Sequence, residues 1–589
     1  MIVPMKKVFL VIQAKDAQGL LERVRKLGIL HVENVNTPKG DKLSALNKDL
    51  ALLSQAISLL EGINKKKVVG TGANQAVEWD VLARHVIDLN KRTQQLQEYS
   101  ITLSSKIETL KEWGDFDPQE ISRLGLNGIS VGFYKLSDEQ ISQLPEGAYL
   151  EKVSSKGSMH NCVIFTQSDI GIPFKAVELP RDSLRRMQER FVEDIKTAAL
   201  LKADFLRQVV YLDFLRGIRN KITHEIKFHE ALAGMAQDGG LMYIKGYIPF
   251  DSKDRIEEAA RSWGWAVLTV DPVEGDSVPT LVRNPKWLDI INPVFRLIEV
   301  IPGYKELDIS LWFLVFFSLF FGILIGDAGY GAVYLMLTFL ADKKWGFRFS
   351  DKSVFILLYL LSGCAIIWGM LTATFFGQEW LPSWVSPLLP SLRNDKNMQS
   401  FCFFLGALHL SIAHAWKVII KFPALSLLAD IGWVLILWTA FLIAKLLVLG
   451  DTLAEFYLYL LIPGVLLIVF FTNPQKNIFK SIGSGLGAFL LNAMNNFTDI
   501  VSYIRLFAVG LATLAVADAF NKMAMDVGFG SFISGLLTSL ILLVGHFLNI
   551  VLGPLSILVH GVRLNVLEFC SHLDIKWSGF NYRPLIEEK

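Results

Sequence analysis

Residues 311–340 read LWFLVFFSLFFGILIGDAGYGAVYLMLTFL. Two apolar runs flank a Gly-Asp-Ala-Gly-Tyr-Gly core at 326–331. As one continuous helix, the stretch would carry Asp327 into the middle of a bilayer, where an unpaired carboxylate is costly. The loop that follows, Ala341 to Lys352, holds Lys343, Lys344, Arg348 and Lys352. Positively charged loops stay on the cytoplasmic side. With the N-terminal half on that side too, two spans must precede the loop. Gly326–Gly331 is therefore expected to be a turn near the outer surface.

Working downstream, apolar stretches recur at Val354 to Phe376, Ser400 to Ile420, Leu428 to Leu449, Phe456 to Thr472, Leu486 to Phe520 and Ile533 to Phe569. Runs of about 18 or more apolar residues read as transmembrane helices. The charges then alternate as they should. Lys417 and Lys421, Lys476 and Lys480, and Lys576 and Arg583 fall inside, while outer loops carry only Arg393, Lys396 and Lys522. The expectation is an all-α membrane half of about eight helices with both termini inside. The last two stretches, about 35 residues each, would span roughly 50 Å against a core of about 30 Å. Excess length of that kind is taken up by tilt or protrusion.

Working upstream, the sequence changes character. Most of its Lys, Arg, Asp and Glu precede Leu311, and no secretory signal opens it. Lys6 to Gln13 reads as a strand, Asp16 to Leu27 as a helix ended by Gly28, and Leu30 to Val35 as a second strand. Leu43, Leu46, Leu50, Leu53, Ile57 and Leu60 then form a heptad seam. After a break at Gly70 to Asn74, Leu82, Val86, Leu89, Thr93 and Leu96 begin a second seam, resumed by Leu103, Ile107 and Leu110. The pair predicts an antiparallel coiled-coil hairpin. Strands follow at Ile129 to Tyr134, Ala148 to Val153 and Asn161 to Thr166. A further strand at Phe174 to Leu179 leads into a long helix from Leu184 to about Phe228. Strands at Leu241 to Ile248 and Ala266 to Val270 flank a helix from Ser252 to Ser262. The fold class is α+β for this cytosolic half: two α/β lobes joined by long coiled-coil helices. Residues 1–303 are expected to form a strut and 304–589 the membrane domain.

Several functions are excluded or unsupported. The formal net charge of +2 gives no basis for a nucleic-acid partner. Cys162, Cys364, Cys402 and Cys570 have no metal or redox spacing. Gly483, Gly485 and Gly487 lack the strand and lysine of a phosphate loop, and no GxxxxGK[ST] occurs. No cofactor is implied, and the chain is not expected to hydrolyse ATP itself.

The chemistry concentrates in two arginines within apolar runs: Arg505 in VSYIRLFAVG and Arg563 in HGVRL. Intramembrane charges are usually functional and have a partner. The plain alternative is internal pairing, Arg505 with Asp499 or Arg563 with Glu568. From Arg505, helical spacing gives Ala508, Ala512, Ala515 and Ala519; from Arg563, counting back, it gives His560, Ser556, Gly553 and Asn549. Small-residue stripes permit close helix packing, and equally a surface that slides past. A carboxylate on a moving partner would be ionised beside Arg505, since arginine keeps its charge. His560, Glu568, Asp499, Ser502 and Asp518 are the candidate path-lining residues, and His409 and His414 read as packing or interfacial histidines.

These residues resemble subunit a, also called subunit I, of the V/A-type rotary ATPases of bacteria and archaea, over nearly the whole chain. The resemblance is carried by VPMKKV at 3–8, IKGYIP at 244–249, NPVF at 292–295, PGYKELD at 302–308, FFGILIGDAGYG at 320–331, SYIRL at 502–506 and HGVRLNVLEF at 560–569. It departs where some relatives have a carboxylate about three turns before the second arginine, at Gly553, and where Asp308-Ile-Ser replaces Asp-Pro-Thr. The resemblance implies a non-catalytic, ion-translocating stator subunit for protons or sodium ions, in the plasma membrane. Arg505 would be the principal arginine and Arg563 the second, both facing carboxylates of a proteolipid rotor ring. The N-terminal half would bind peripheral-stalk heterodimers and touch the central-stalk cap subunit. A secondary transporter would instead show inverted repeats, but the arginine motifs occur only in the last two spans. A membrane-anchored scaffold would not need those arginines.

Overall fold

The computed structural model describes residues 1–63, 78–167, 171–178, 182–349, 351–377, 387–452, 455–474 and 478–587. The expected break at 70–74 and the loop charge at 476 lie outside them. The chain divides into two compact units: Met1–Val8, Ile29–His31 and Gly246–Pro584 in one, Phe9–Gly28, Val32–Lys245 and Leu585–Lys589 in the other.

In the second unit the heptad positions lie on helices, most of them buried and Leu43, Leu46, Leu50 and Leu96 half-buried. Leu53, Ile57 and Leu60 of Asp41–Glu61 share a core with Leu82 and Val86 of Trp79–Lys111 and with Leu212, Leu215 and Ile222 of Leu212–Ala233. Leu103, Ile107 and Leu110 pack instead on Met187 of Leu184–Arg207. Each seam is thus covered by helices from later in the chain as well as by the other seam. An antiparallel three-stranded sheet has Met159–Gln167 between Ile129–Ser137 and Tyr149–Lys156. The strand expected from Phe174 does not form over 174–178. There Val177 donates to Phe133 O at 2.7 Å, but Pro173 and Pro180 cannot donate to a ladder. Strands Met5–Gln13 and Leu241–Pro249, expected in separate lobes, belong to one five-stranded sheet, and the division between the units runs through both.

The first unit carries the apolar helices. Among the described residues, five are long and apolar enough to cross a membrane: Ser353–Thr372, Asp395–Lys421, Leu427–Leu449, Phe479–Val527 and Phe532–His572. The count is six if the pair Ser310–Ile325 and Ala328–Trp345, bent by 120°, is one span; Tyr457–Phe471 is shorter. The bend falls at Gly326 and Asp327. Gly326 has φ 65°, and the fully buried Asp327 caps the second helix, accepting from Tyr330 N at 3.0 Å and Gly377 N at 2.9 Å. Backbone donors thereby stabilise the carboxylate that a straight helix would have left in lipid. A Cβ on Gly369 would lie 2.0 Å from Ala328 N, so only glycine lets helix Ser353–Thr372 approach the turn this closely. Phe313, Phe317 and Phe320 of the first helix of the pair are buried at the centre of the unit's core.

Candidate functional site

Both arginines sit where their helices depart from regular α-geometry. Helix Ile478–Ser502 stops one residue short of Ile504–Val527. Across the gap, Tyr503 N donates to Ile500 O at 3.2 Å and Leu506 N to Tyr503 O at 3.0 Å, the tighter i→i−3 pattern. Tyr503 is fully buried, and its hydroxyl is 2.8 Å from His409 Nδ1. His409 is stacked between Phe316 and Phe569, with ring centroids 3.8 and 4.3 Å away. The turn presenting Arg505 is therefore held by a fixed side-chain stack.

The second arginine follows a proline. Pro554, inside helix Phe532–Ser556, has no N–H for the carbonyl of Ile550. The Tyr334 hydroxyl donates to that carbonyl instead, at 3.0 Å. Beyond it run two π-helical stretches, Ile557–Gly561 and Leu564–Phe569, with Arg563 between them. Such widened turns commonly occur at functional positions.

The two arginines converge on Glu568. Arg505 Nη1 donates to Glu568 Oε1 at 3.3 Å, and Arg563 Nε lies 3.6 Å from the same oxygen. Ser502 Oγ is 3.3 Å from it and also donates to Asp499 O at 2.7 Å. The Glu568 side chain is 6% exposed, against 30% for Arg505 and 51% for Arg563. One buried carboxylate thus balances two cations that keep part of their surface outward. Of the two internal pairs weighed as the plain alternative, Arg563 with Glu568 is present but shared with Arg505, and Arg505 with Asp499 does not form. Asp499 Oδ2 is instead 3.1 Å from His572 Nε2. Asp518 pairs with Lys522 at 2.5 Å, and His560 Nδ1 is buried with no hydrogen bond in the chain.

The two small-residue stripes differ. Ala508, Ala512, Ala515 and Ala519 are all exposed. On the other helix, Gly553 and Asn549 are buried. Asn549 Nδ2 donates to Thr513 O at 2.9 Å, and a Cβ on Gly553 would lie 2.7 Å from the Tyr334 hydroxyl. Ordinary packing explains the second stripe. It leaves the alanine track uncovered.

Two cavities border the arginine helix, each with charged side chains in its wall. One, about 280 Å³, is lined by Asn495, Asn496 and Asp499 before the break, with His414, Asp430 and His572. The other, about 520 Å³, is lined by Leu506, Gly510 and Asp518 after it, with Thr374, Arg393 and Asp395. Helix Asp395–Lys421 contributes its C-terminal part to the first and its N-terminal part to the second. At 1.5 Å per residue, those ends are roughly 40 Å apart. Arg505 comes between the last helix residue of one lining and the first of the other. Sequence reasoning did not single out Asp430 and His572 and read His414 as a packing or interfacial histidine; a lone acid opening the apolar run at 428–449 was the available signal for Asp430. Among the described residues, no group of three or more His, Cys, Asp or Glu could hold a metal ion.

Comparison with known proteins gives a consistent picture. The chain is 30% identical over 621 residues to V-type ATP synthase subunit I of Borreliella burgdorferi, covering 100% of both chains. It is 30% identical over 628 residues to V-type ATP synthase subunit I 1 of Treponema pallidum, again covering 100% of both. To A-type ATP synthase subunit I of Methanocaldococcus jannaschii it is 26% identical over 379 residues, covering 56% of this chain and 53% of the other. No family model matches the chain.

Proposed function

Because the chain belongs to the subunit I family of V-type and A-type ATP synthases, we propose that it is the ion-conducting stator of a rotary ATPase, with Arg505 as the barrier between two half-channels. The observation that carries this reading is the position of Arg505 between two cavities, each with charged side chains in its wall, reached from opposite ends of one helix. The exposed alanine track beside it supports a rotor surface moving past.

The physical steps follow from charge. A rotor carboxylate crossing lipid travels neutral, because an ionised one is too costly there. Opposite Arg505 its ionised form is favoured, so it releases its ion into one cavity. Having turned past the arginine, it reloads from the other. The permanent charge of Arg505 keeps ions from leaking directly between the cavities. Glu568, held by Ser502, balances it, Arg563 is the second arginine facing the rotor carboxylate, Asp499 lines one cavity and Asp518 the other, and His560 stands one turn from Arg563. The chain itself performs no ATP chemistry.

The same reading assigns the remaining parts. Residues 1–303 form the cytosolic strut, with coiled-coil helices and lobes that meet the peripheral-stalk heterodimers and the central-stalk cap subunit. Residues 304–589 cross the plasma membrane about eight times, with both termini cytoplasmic. The proteolipid ring runs against the last two spans.

The test is ATP-driven ion uptake into vesicles carrying the whole complex, comparing wild type with Arg505→Ala at equal subunit stoichiometry. The expected result is loss of uptake with assembly intact. Undiminished uptake would move the essential charge elsewhere and leave Arg505 as a partner of Glu568 only.

A further inference from the structure

Four titratable side chains stand in one hydrogen-bonded row along the smaller cavity. Asp430 Oδ1 is 3.2 Å from His414 Nδ1, His414 Nε2 is 3.0 Å from His572 Nδ1, and His572 Nε2 is 3.1 Å from Asp499 Oδ2. They come from four separate helical segments: Leu427–Ala444, Asp395–Lys421, Cys570–His572 and Ile478–Ser502. Asp430, His414 and His572 are 3%, 4% and 6% exposed. At the Asp430 end, Lys421 Nζ is 2.6 Å from Asp430 Oδ2 and Lys417 Nζ is 3.8 Å from Oδ1, with Asp574 2.5 Å from Lys417. At the other end, Asp499 lies six residues before Arg505.

Counting hydrogens shows what the row holds. Three contacts need three hydrogens. A neutral imidazole supplies one and an ionised carboxylate none. Two neutral histidines and two carboxylates therefore fill two contacts and leave lone pair facing lone pair at the third. The complete row carries one extra proton, and every atom along it can donate or accept.

We propose that Asp430, His414, His572 and Asp499 form a proton relay that serves the cavity on the Asp499 side of Arg505, so that the transported ion is the proton. The proposal rests on the stator reading above. The transfer balances. A proton arriving on Asp430 passes to His414 Nδ1, His414 gives its Nε2 proton to His572 Nδ1, and His572 gives its Nε2 proton to Asp499. One proton has moved from Asp430 to Asp499, both rings have changed tautomer, and no other bond has changed. Direct nitrogen-to-nitrogen contact leaves no site for a metal cation between the rings.

The test uses the whole complex in proteoliposomes, with ATP-driven acidification read by a pH-sensitive dye and sodium uptake read by radioactive sodium. Wild type is expected to acidify the lumen without taking up sodium. His572→Gln, His414→Gln and Asp499→Asn should each slow acidification about tenfold at equal subunit stoichiometry, a barrier increase of about 1.4 kcal/mol. Added imidazole should restore the rate of His572→Ala and leave Arg505→Ala inactive. Wild-type rates in the histidine variants, or loss in His572→Ala that imidazole does not mend, would overturn the relay and assign these residues to packing. Sodium uptake without acidification would overturn it as well. If His572→Ala does not assemble, Asp499→Asn decides: unchanged acidification refutes the relay. Uptake retained by Arg505→Ala is the separate failure of the stator reading.

Discussion

Glu568 is a competitor as well as a support. Its carboxylate already draws on Arg505 at 3.3 Å and Arg563 at 3.6 Å, so under the stator reading proposed above an incoming rotor carboxylate would meet an arginine whose field is partly spent. On that reading the sharing would let the rotor group leave again. In Glu568→Gln both arginines would hold an arriving carboxylate more tightly. Steady-state transport should fall about tenfold, for about 1.4 kcal/mol of added retention, while the complex still assembles. Transport at the wild-type rate would show that Glu568 only fills space. The sequence exposed Arg505, Arg563 and Glu568 because charges stand out within apolar runs. It did not reveal that the glutamate is shared, since Arg505 and Glu568 are separated by 63 positions and linear spacing does not fix how two helices rotate against each other. The histidine row was hidden for the same reason: its members come from four segments, and each looks ordinary in its own.

At the level of elements, irregularity in the last helix depends on a neighbour. Pro554 removes the donor for Ile550 O, and the Tyr334 hydroxyl replaces it from helix Ala328–Trp345. The same hydroxyl fills the space beside Gly553, where the family pattern can place a carboxylate. Tyr334→Phe keeps the ring and leaves the carbonyl unpaired, at a cost of about 1–3 kcal/mol. The solubilised complex should unfold at a lower temperature, and ATP-driven transport should weaken as the π-helical turns around Arg563 loosen. An unchanged melting midpoint would mean that Ile550 O needs no partner. Period and breakers made most of the elements legible. Helix Ala17–Leu27 ends at Gly28 with φ 64°, as a left-handed glycine should end it, and strand Ala266–Val270 has the expected bounds. The shared five-stranded sheet was not legible, because strand partners far apart in sequence leave no local trace.

The orientation of the whole membrane unit rests on a chain of parities, and the bent pair is its weakest step. If Ser310–Ile325 and Ala328–Trp345 cross separately, the positively charged loop after them lies inside, as the inner lysines require. If the pair counts as one crossing, every later loop changes side. The smaller cavity, with Lys417 and Lys421 at its mouth, would then open outward, and the proton row would serve the opposite half-channel. Single cysteines at exposed positions separate the two cases. Phe347, Phe422 and Phe529 are 77%, 75% and 71% exposed, and the native cysteines are buried or half-buried. With two crossings, Phe347→Cys and Phe422→Cys react with a membrane-impermeant maleimide only in inverted vesicles, and Phe529→Cys only in right-side-out cells. The reverse pattern would make the pair a single broken span and exchange the sides of both cavities. The role proposed for Arg505 as divider would hold in either case, because its place between the two linings does not depend on which side faces the cytoplasm.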